Sequence, residues 1–133
     1  GHALIIAGGK GKIGSAVLAT RACLRSGVGL LTTHIPACGE SVLQTAIPEA
    51  MISVDSNDKL FSDNIGNFHF KTIAFGPGLG TAISTQKAIH HLLKVEKIPM
   101  VIDADGLNCI SLNKEWFNLI PENSYNLMMN FAA

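Results

Sequence analysis

Three short stretches carry residue types suited to holding a phosphorylated ligand. Gly9-Lys10-Gly11-Lys12-Ile13-Gly14 spells G-x-G-x-x-G, Gly76-Pro77-Gly78-Leu79-Gly80 sets glycines around a proline, and Asp103-Ala104-Asp105-Gly106-Leu107-Asn108 groups carboxylates with an amide. Glycine leaves bare main chain that a ligand can approach closely, and main-chain N–H groups at a helix start favour an anion. In the first turn Gly9, Gly11, Lys12 and Gly14 are the phosphate-proximal candidates, although a tight strand-to-helix turn with solvated lysines would use the same residues. In the second, Gly76, Gly78 and Gly80 are more glycine than a plain connection needs. In the third, Asp103, Asp105 and Asn108 can accept from or donate to ligand hydroxyls, while Asp105 equally suits a helix N-cap.

Several chemistries are disfavoured. A dinucleotide fingerprint wants an acidic residue about twenty positions after its glycines to hold a ribose, yet that place is taken by His34, Ile35 and Pro36, and Glu40 comes too late. No G-x-S-x-G, G-x-x-x-x-G-K-[ST] or H-E-x-x-H string occurs, which argues against acyl-enzyme hydrolysis, Walker-type chemistry and zinc proteolysis. His90 and His91 are adjacent, so on a helix they diverge by about 100° and read as structural. His34 closes a strand and reads as a hydrogen-bonded residue; His2 and His69 have no sequence partner. Cys23, Cys38 and Cys109 are widely spaced with no C-x-x-C pair, so the pattern points to no metal site and no disulfide framework.

The elements that must position these turns follow from hydrophobic patterning. Ala3 to Ala7 is a continuous apolar run of the kind buried parallel strands show, and a helix from Ser15 to Ser26 follows, with Ser15 as N-cap and Gly27 as the left-handed stop. Gly29 to Ile35 is a second strand ending at Pro36, Glu40 to Ala46 a short helix, and Ala50 to Val54 a third strand. Asp55 to Asn67 is polar and irregular, a loop. Thr72 to Phe75 is a strand, the next helix turns Ala88, Ile89, Leu92 and Leu93 inward, and Pro99 to Ile102 is another buried strand before the Asp-rich turn. Alternating strands and helices with short loops predict a doubly wound parallel sheet whose crevice lies outside the carboxyl ends of the strands.

Composition sets the frame. The 133 residues are 47% hydrophobic and 15% charged, which excludes a disordered chain and suits one domain with a substantial core. Ten basic residues balance ten acidic ones, so no electrostatic footprint for nucleic acid or a membrane surface is present. The apolar runs are strand-sized and no signal peptide is seen, so the expectation is a cytoplasmic protein.

The ordered set of blocks carries more than any one turn. Ala7-Gly8-Gly9 through Gly14-Ser15-Ala16, Arg25-Ser26-Gly27-Val28-Gly29-Leu30, Pro48-Glu49-Ala50-Met51, the Gly76 to Gly80 string and the Asp103 to Asn108 string resemble the ADP/ATP-dependent NAD(P)H-hydrate dehydratases of the ribokinase-like superfamily. The resemblance implies a three-layer α/β/α fold with a mainly parallel sheet. It implies repair of NADH or NADPH hydrate, with ADP or ATP as phosphoryl donor, Mg2+ as companion ion, and Ser15, Ala16, Gly76, Gly78, Gly80, Asp103, Asp105 and Asn108 around the substrate. Relatives commonly form tetramers, so a homo-oligomer is implied too. Position 106 is Gly where the family usually has Ala, and after Ser124 the likeness stops, before the glycine-rich segment that carries the family's catalytic Asp. The expectation is therefore a single partial domain, inactive by itself, whose hydrophobic sheet is left open; a vitamin-precursor kinase and a non-catalytic dinucleotide-binding module are the alternatives.

Overall fold

The computed structural model describes residues 1–65 and 69–126. In chain order they form β1 (His2–Ile6), α1 (Ile13–Arg25), β2 (Leu30–Ile35), α2 (Glu40–Ala46), β3 (Met51–Val54), β4 (Thr72–Phe75), α3 (Ile83–Val95), β5 (Met100–Ile102), α4 (Asp105–Ser111) and β6 (Tyr125–Asn126), with short 3-10 helices at Ala37–Gly39 and Lys114–Leu119. The strands make a six-stranded sheet in the order β3-β2-β1-β4-β5-β6. Every pairing is parallel, as the continuous apolar strands require.

Two apolar layers sandwich this sheet. On one face Ala3, Ile5, Leu31 and Ile35 pack with Ala16 of α1 and with Leu43 and Ile47 at α2. On the other, Leu4, Ile6, Ile73, Phe75, Met100 and Ile102 pack with Ala88, Ile89, Leu92 and Leu93 of α3, Cys109 and Ile110 of α4, Phe61 and Trp116. The four inward positions anticipated on α3 are all buried, each large one contributing roughly 1.5–3 kcal/mol of apolar burial. His90 stacks on Trp116 with ring centroids 4.7 Å apart, a structural use for that histidine.

Coverage is uneven. Helices α1 and α2 lie over β1 to β3, and beside α1 a groove of about 400 Å³ exposes part of the same face, lined among others by Ala3, Ile5, Ala19, Cys23, Ala74 and Val101. Among the described residues no helix is long and apolar enough to cross a membrane.

Two expectations need correction. Ser15 does not cap α1: the helix starts at Ile13 with Lys12 in the capping position and no side-chain cap bond. The Lys12 N–H donates to the Gly9 carbonyl at 2.8 Å, which winds the chain into helix before Ser15 is reached. The chain after Ser124 also joins the fold, because Tyr125 and Asn126 pair in parallel with Val101 and Ile102; the remainder of the stretch read as an unrelated tail, 127–133, lies outside the described residues. Gly27, at φ +90°, does close α1 as expected.

Candidate functional site

Register brings the three turns together. Ile6 pairs with Phe75, and Phe75 with Ile102, so β1, β4 and β5 end at one level and the turns leave the sheet side by side. Strand order reverses between β1 and β4, which is where open α/β sheets form a ligand crevice.

The turns are joined by main chain. Gly8 N–H donates to the Pro77 carbonyl at 2.8 Å, Gly76 N–H to Ile6 at 3.2 Å, and Asp103 N–H to Phe75 at 3.2 Å. A side chain at Gly76 would overlap the Asp103 carbonyl oxygen and stand 2.8 Å from its carbon, while the backbone there has φ +136°. Glycine is demanded at this position by close approach as well as by conformation. A Cβ on Gly9 would lie 2.7 Å from the Gly78 carbonyl, and one on Gly78 would lie 3.0 Å from the Lys12 carbonyl and 3.1 Å from Ser15 Oγ. Packing between turns thus accounts for Gly9, Gly76 and Gly78. At Gly11, Gly14 and Gly80, by contrast, an added Cβ would meet nothing within 4 Å, so packing between turns accounts for none of these three.

Asp105 ties the rim across sequence. Its Oδ2 accepts from Gly80 N–H at 2.8 Å and lies 3.8 Å from Lys12 Nζ, and its Oδ1 accepts from Asn108 Nδ2 at 3.0 Å. It opens α4 in the helical body, with Ala104 in the capping place, so the N-cap reading of Asp105 gives way to a bridge between turns. Asp103 Oδ1 accepts from Ala104 N–H at 2.8 Å, and its carbonyl accepts from Gly106 N–H at 2.9 Å. Between them Ala104 holds φ 48°, ψ −122°, values of the first inner position of a type II′ turn, which glycine normally fills. Strain of this kind costs roughly 1–3 kcal/mol and concentrates at ligand sites.

Other candidates sort by burial. Ala16 is fully buried beneath Gly8, in the core rather than on the rim. Ser15 is half-buried against the second turn, and Asn108 is exposed on α4. Burial, with a contribution from the charge of Asp105, pushes the Cys109 thiol up to about 11; its Sγ lies 3.5 Å from the Gly80 carbonyl. Burial likewise raises the Cys23 thiol.

Sequence reading missed Asp55. It is 2% exposed and accepts from His34 Nε2 at 2.7 Å, from the N–H groups of Asn57 at 2.9 Å and of Ser62 and Asp63 at 3.0 Å, and from Ser62 Oγ at 3.0 Å. Burial opposes its ionised form, but the bonds from His34, Ser62, Asn57 and Asp63 outweigh it and hold the carboxyl below its usual range. His34 Nδ1 meets Ser53 Oγ at 2.8 Å, so both ring nitrogens have partners, as expected of a strand-end histidine. His34, Asp55 and Asp63 lie near enough together to suggest a cation site. Asp63, however, accepts from the Ser56 N–H and hydroxyl, and the atoms of the other two are committed as described. The signal was present in Asp55-Ser56-Asn57-Asp58, a run of side chains that bond to nearby amides.

A parallel sheet between two helical layers, with glycine turns meeting at its switch point, is a doubly wound α/β architecture with a ligand crevice at that point. A ribokinase-like superfamily protein of Enterococcus faecalis superposes with a TM-score of 0.70 at 23% identity, covering 86% of this chain and 40% of that one. Residues 3–128 match the NAD(P)H-hydrate dehydratase family, and the chain belongs to it. The ADP-dependent (S)-NAD(P)H-hydrate dehydratase of Listeria monocytogenes is 37% identical over 109 residues, 80% of this chain and 39% of the relative. An ADP/ATP-dependent NAD(P)H-hydrate dehydratase of Bacillus subtilis, crystallised with ATP and Mg2+, gives a TM-score of 0.69 at 31% identity over 80% of this chain and 39% of that one. The chain therefore spans about 39% of the length of these relatives. The match to residue 128 runs past Ser124, where the likeness was expected to stop.

Proposed function

We propose that these residues are the N-terminal part of an ADP/ATP-dependent NAD(P)H-hydrate dehydratase domain, and that their rim forms one wall of the cleft for hydrated NADH or NADPH. In that reaction a nucleotide phosphorylates the hydroxyl of the hydrate and phosphate then leaves. Carrying the reading is the meeting of three sequence-distant turns at the switch point, with uncrowded main chain at Gly11 and Gly14 beside Lys12 and Asp105. On this reading Gly9, Gly76 and Gly78 hold the wall together, while Lys12, Ser15, Asp103, Asp105 and Asn108 offer it charge and hydrogen bonds.

Neither Asp105 nor Asp55 suits a Mg2+ ion. Asp105 is spent on Gly80, Asn108 and Lys12, and Asp55 on its loop. The cytoplasmic location and tetramer implied by the resemblance belong to the same proposal.

The test is calorimetric titration of the 133 residues with NADPH hydrate, and separately with ADP and ATP. The expected result is saturable binding without turnover. Asp103→Ala and Asn108→Ala should each weaken hydrate binding by about 1–3 kcal/mol, the scale of a lost polar partner. Wild-type affinity in both variants would reduce the third turn to a helix start, and turnover by these residues alone would overturn the assignment of chemistry to the part of the family domain outside them.

A further inference from the structure

Beyond the rim lies a crossover whose described residues form no helix. The connection from β3 to β4 passes from the edge strand of the sheet to its centre, yet residues 55–65, its described first part, contain neither helix nor strand. Buried main chain must find hydrogen-bond partners, which a crossover helix normally supplies from within itself. Here one carboxylate supplies many of them. Asp55 gathers the N–H groups of Asn57, Ser62 and Asp63 and is held from the strand side by His34. An ionised carboxylate only accepts, so the hydrogen of the His34 bond sits on Nε2.

That loop reaches the first glycine turn. Asn57 Oδ1 accepts from the N–H groups of Lys59 at 2.8 Å and Leu60 at 3.2 Å, and the Lys59 carbonyl accepts from Lys10 N–H at 2.8 Å. The Asn57 and Asp58 carbonyls take the N–H groups of Ala37 and Cys38 at 3.1 and 3.0 Å, and buried Phe61 anchors the far side, its carbonyl accepting from Thr85 Oγ1 at 2.8 Å. Lys10 N–H is thereby drawn inward and Ser15 N–H turns back to the Lys12 carbonyl at 3.2 Å, so the donors the turn can present outward are the N–H groups at the very start of α1, which a helix leaves without internal partners.

We propose that Asp55 is a positioning residue for the anion-facing turn: acting through the Lys59 carbonyl it fixes the main chain of Gly9 to Lys12, and so sets the affinity of the rim for a pyrophosphate group. This rests on the reading of the rim as a ligand wall. The substitution is Asp55→Asn, whose single acceptor oxygen cannot serve both donor sets. Amide hydrogen exchange of the 133-residue chain by NMR should show Lys10 exchanging roughly tenfold faster or more, with protection of β4 unchanged. Titration with inorganic pyrophosphate and with ADP should show binding weakened about fivefold or more.

Should Asp55→Asn fail to fold, Asn57→Ala removes the brace on Lys59 and leaves the carboxylate in place; the same two changes are expected at smaller amplitude. Unchanged Lys10 exchange in a folded variant overturns the proposal, and so does a loosened Lys10 with undiminished pyrophosphate affinity. A wild-type chain that binds neither probe sinks the rim as a ligand wall and this inference with it. A wild-type chain that binds while both variants bind equally sinks the positioning alone.

Discussion

Replacing Gly76 by alanine tests whether the turns are held by main-chain contact. The new methyl group would overlap the Asp103 carbonyl oxygen and crowd Gly106 N at 3.0 Å, on a backbone with φ +136°. Unfavourable φ alone costs roughly 1–3 kcal/mol. Relief requires the second and third turns to part, which threatens the bonds from Gly106 N–H to Asp103 at 2.9 Å and from Asp103 N–H to Phe75 at 3.2 Å, at about 1 kcal/mol each. The expected loss is about 3–5 kcal/mol, a large share of the 5–15 kcal/mol typical of a domain. Gly80→Ala is the matched control: φ is +74°, but the new atom meets nothing within 4 Å, so only the backbone cost of roughly 1–2 kcal/mol applies. Urea unfolding followed by emission of Trp116, the single tryptophan, reads both. With a slope of about 2 kcal/mol per molar, the Gly76 variant should unfold roughly 1 M earlier than the Gly80 variant. Coincident midpoints would show that the turns separate freely and that the steric argument is wrong.

Asp105→Ala removes the acceptor for Gly80 N–H and the partner of Lys12 and Asn108; faster exchange of the Gly80 amide is expected, and an unaltered rate would show that the bridge holds nothing. Cys109, buried and pushed up to about 11, should resist alkylation by iodoacetamide in the folded chain at pH 8 while the unfolded chain reacts, as mass spectrometry of labelled peptides can score. Acid stability should depend on Asp55. Its folded carboxyl lies below the ordinary 3.8, so its stabilisation is complete above that value and is lost as pH falls through the folded one. Asp55→Asn should therefore flatten the acid limb of a stability–pH curve, and an unchanged limb would contradict this.

Strands β1, β4 and β5 were legible because buried parallel strands read as continuous apolar runs, and α3 because its inward residues recur at helical spacing, whereas β6, only Tyr125 and Asn126, makes no such run. The convergence of the turns followed from alternation of strand and helix alone. The start of α1 was misplaced because a backbone bond from Lys12 to Gly9, which leaves no mark on residue type, replaces the side-chain cap that Ser15 advertised. Asp55 was hidden for a similar reason: most of its partners are amides, and its one ring partner, His34, is distant in sequence. Packing and openness among the glycines were likewise indistinguishable by letter, since Gly76 and Gly80 differ only in what stands opposite them.

The stitching of the three turns is peptide to peptide: Gly8 to Pro77, Gly76 to Ile6, Asp103 to Phe75. Side chains facing outward from such a seam, Lys10 and Lys12 among them, can be exchanged without unpicking it. Substitution at those outward positions leaves the seam closed, whereas a side chain on Gly76 would force it apart.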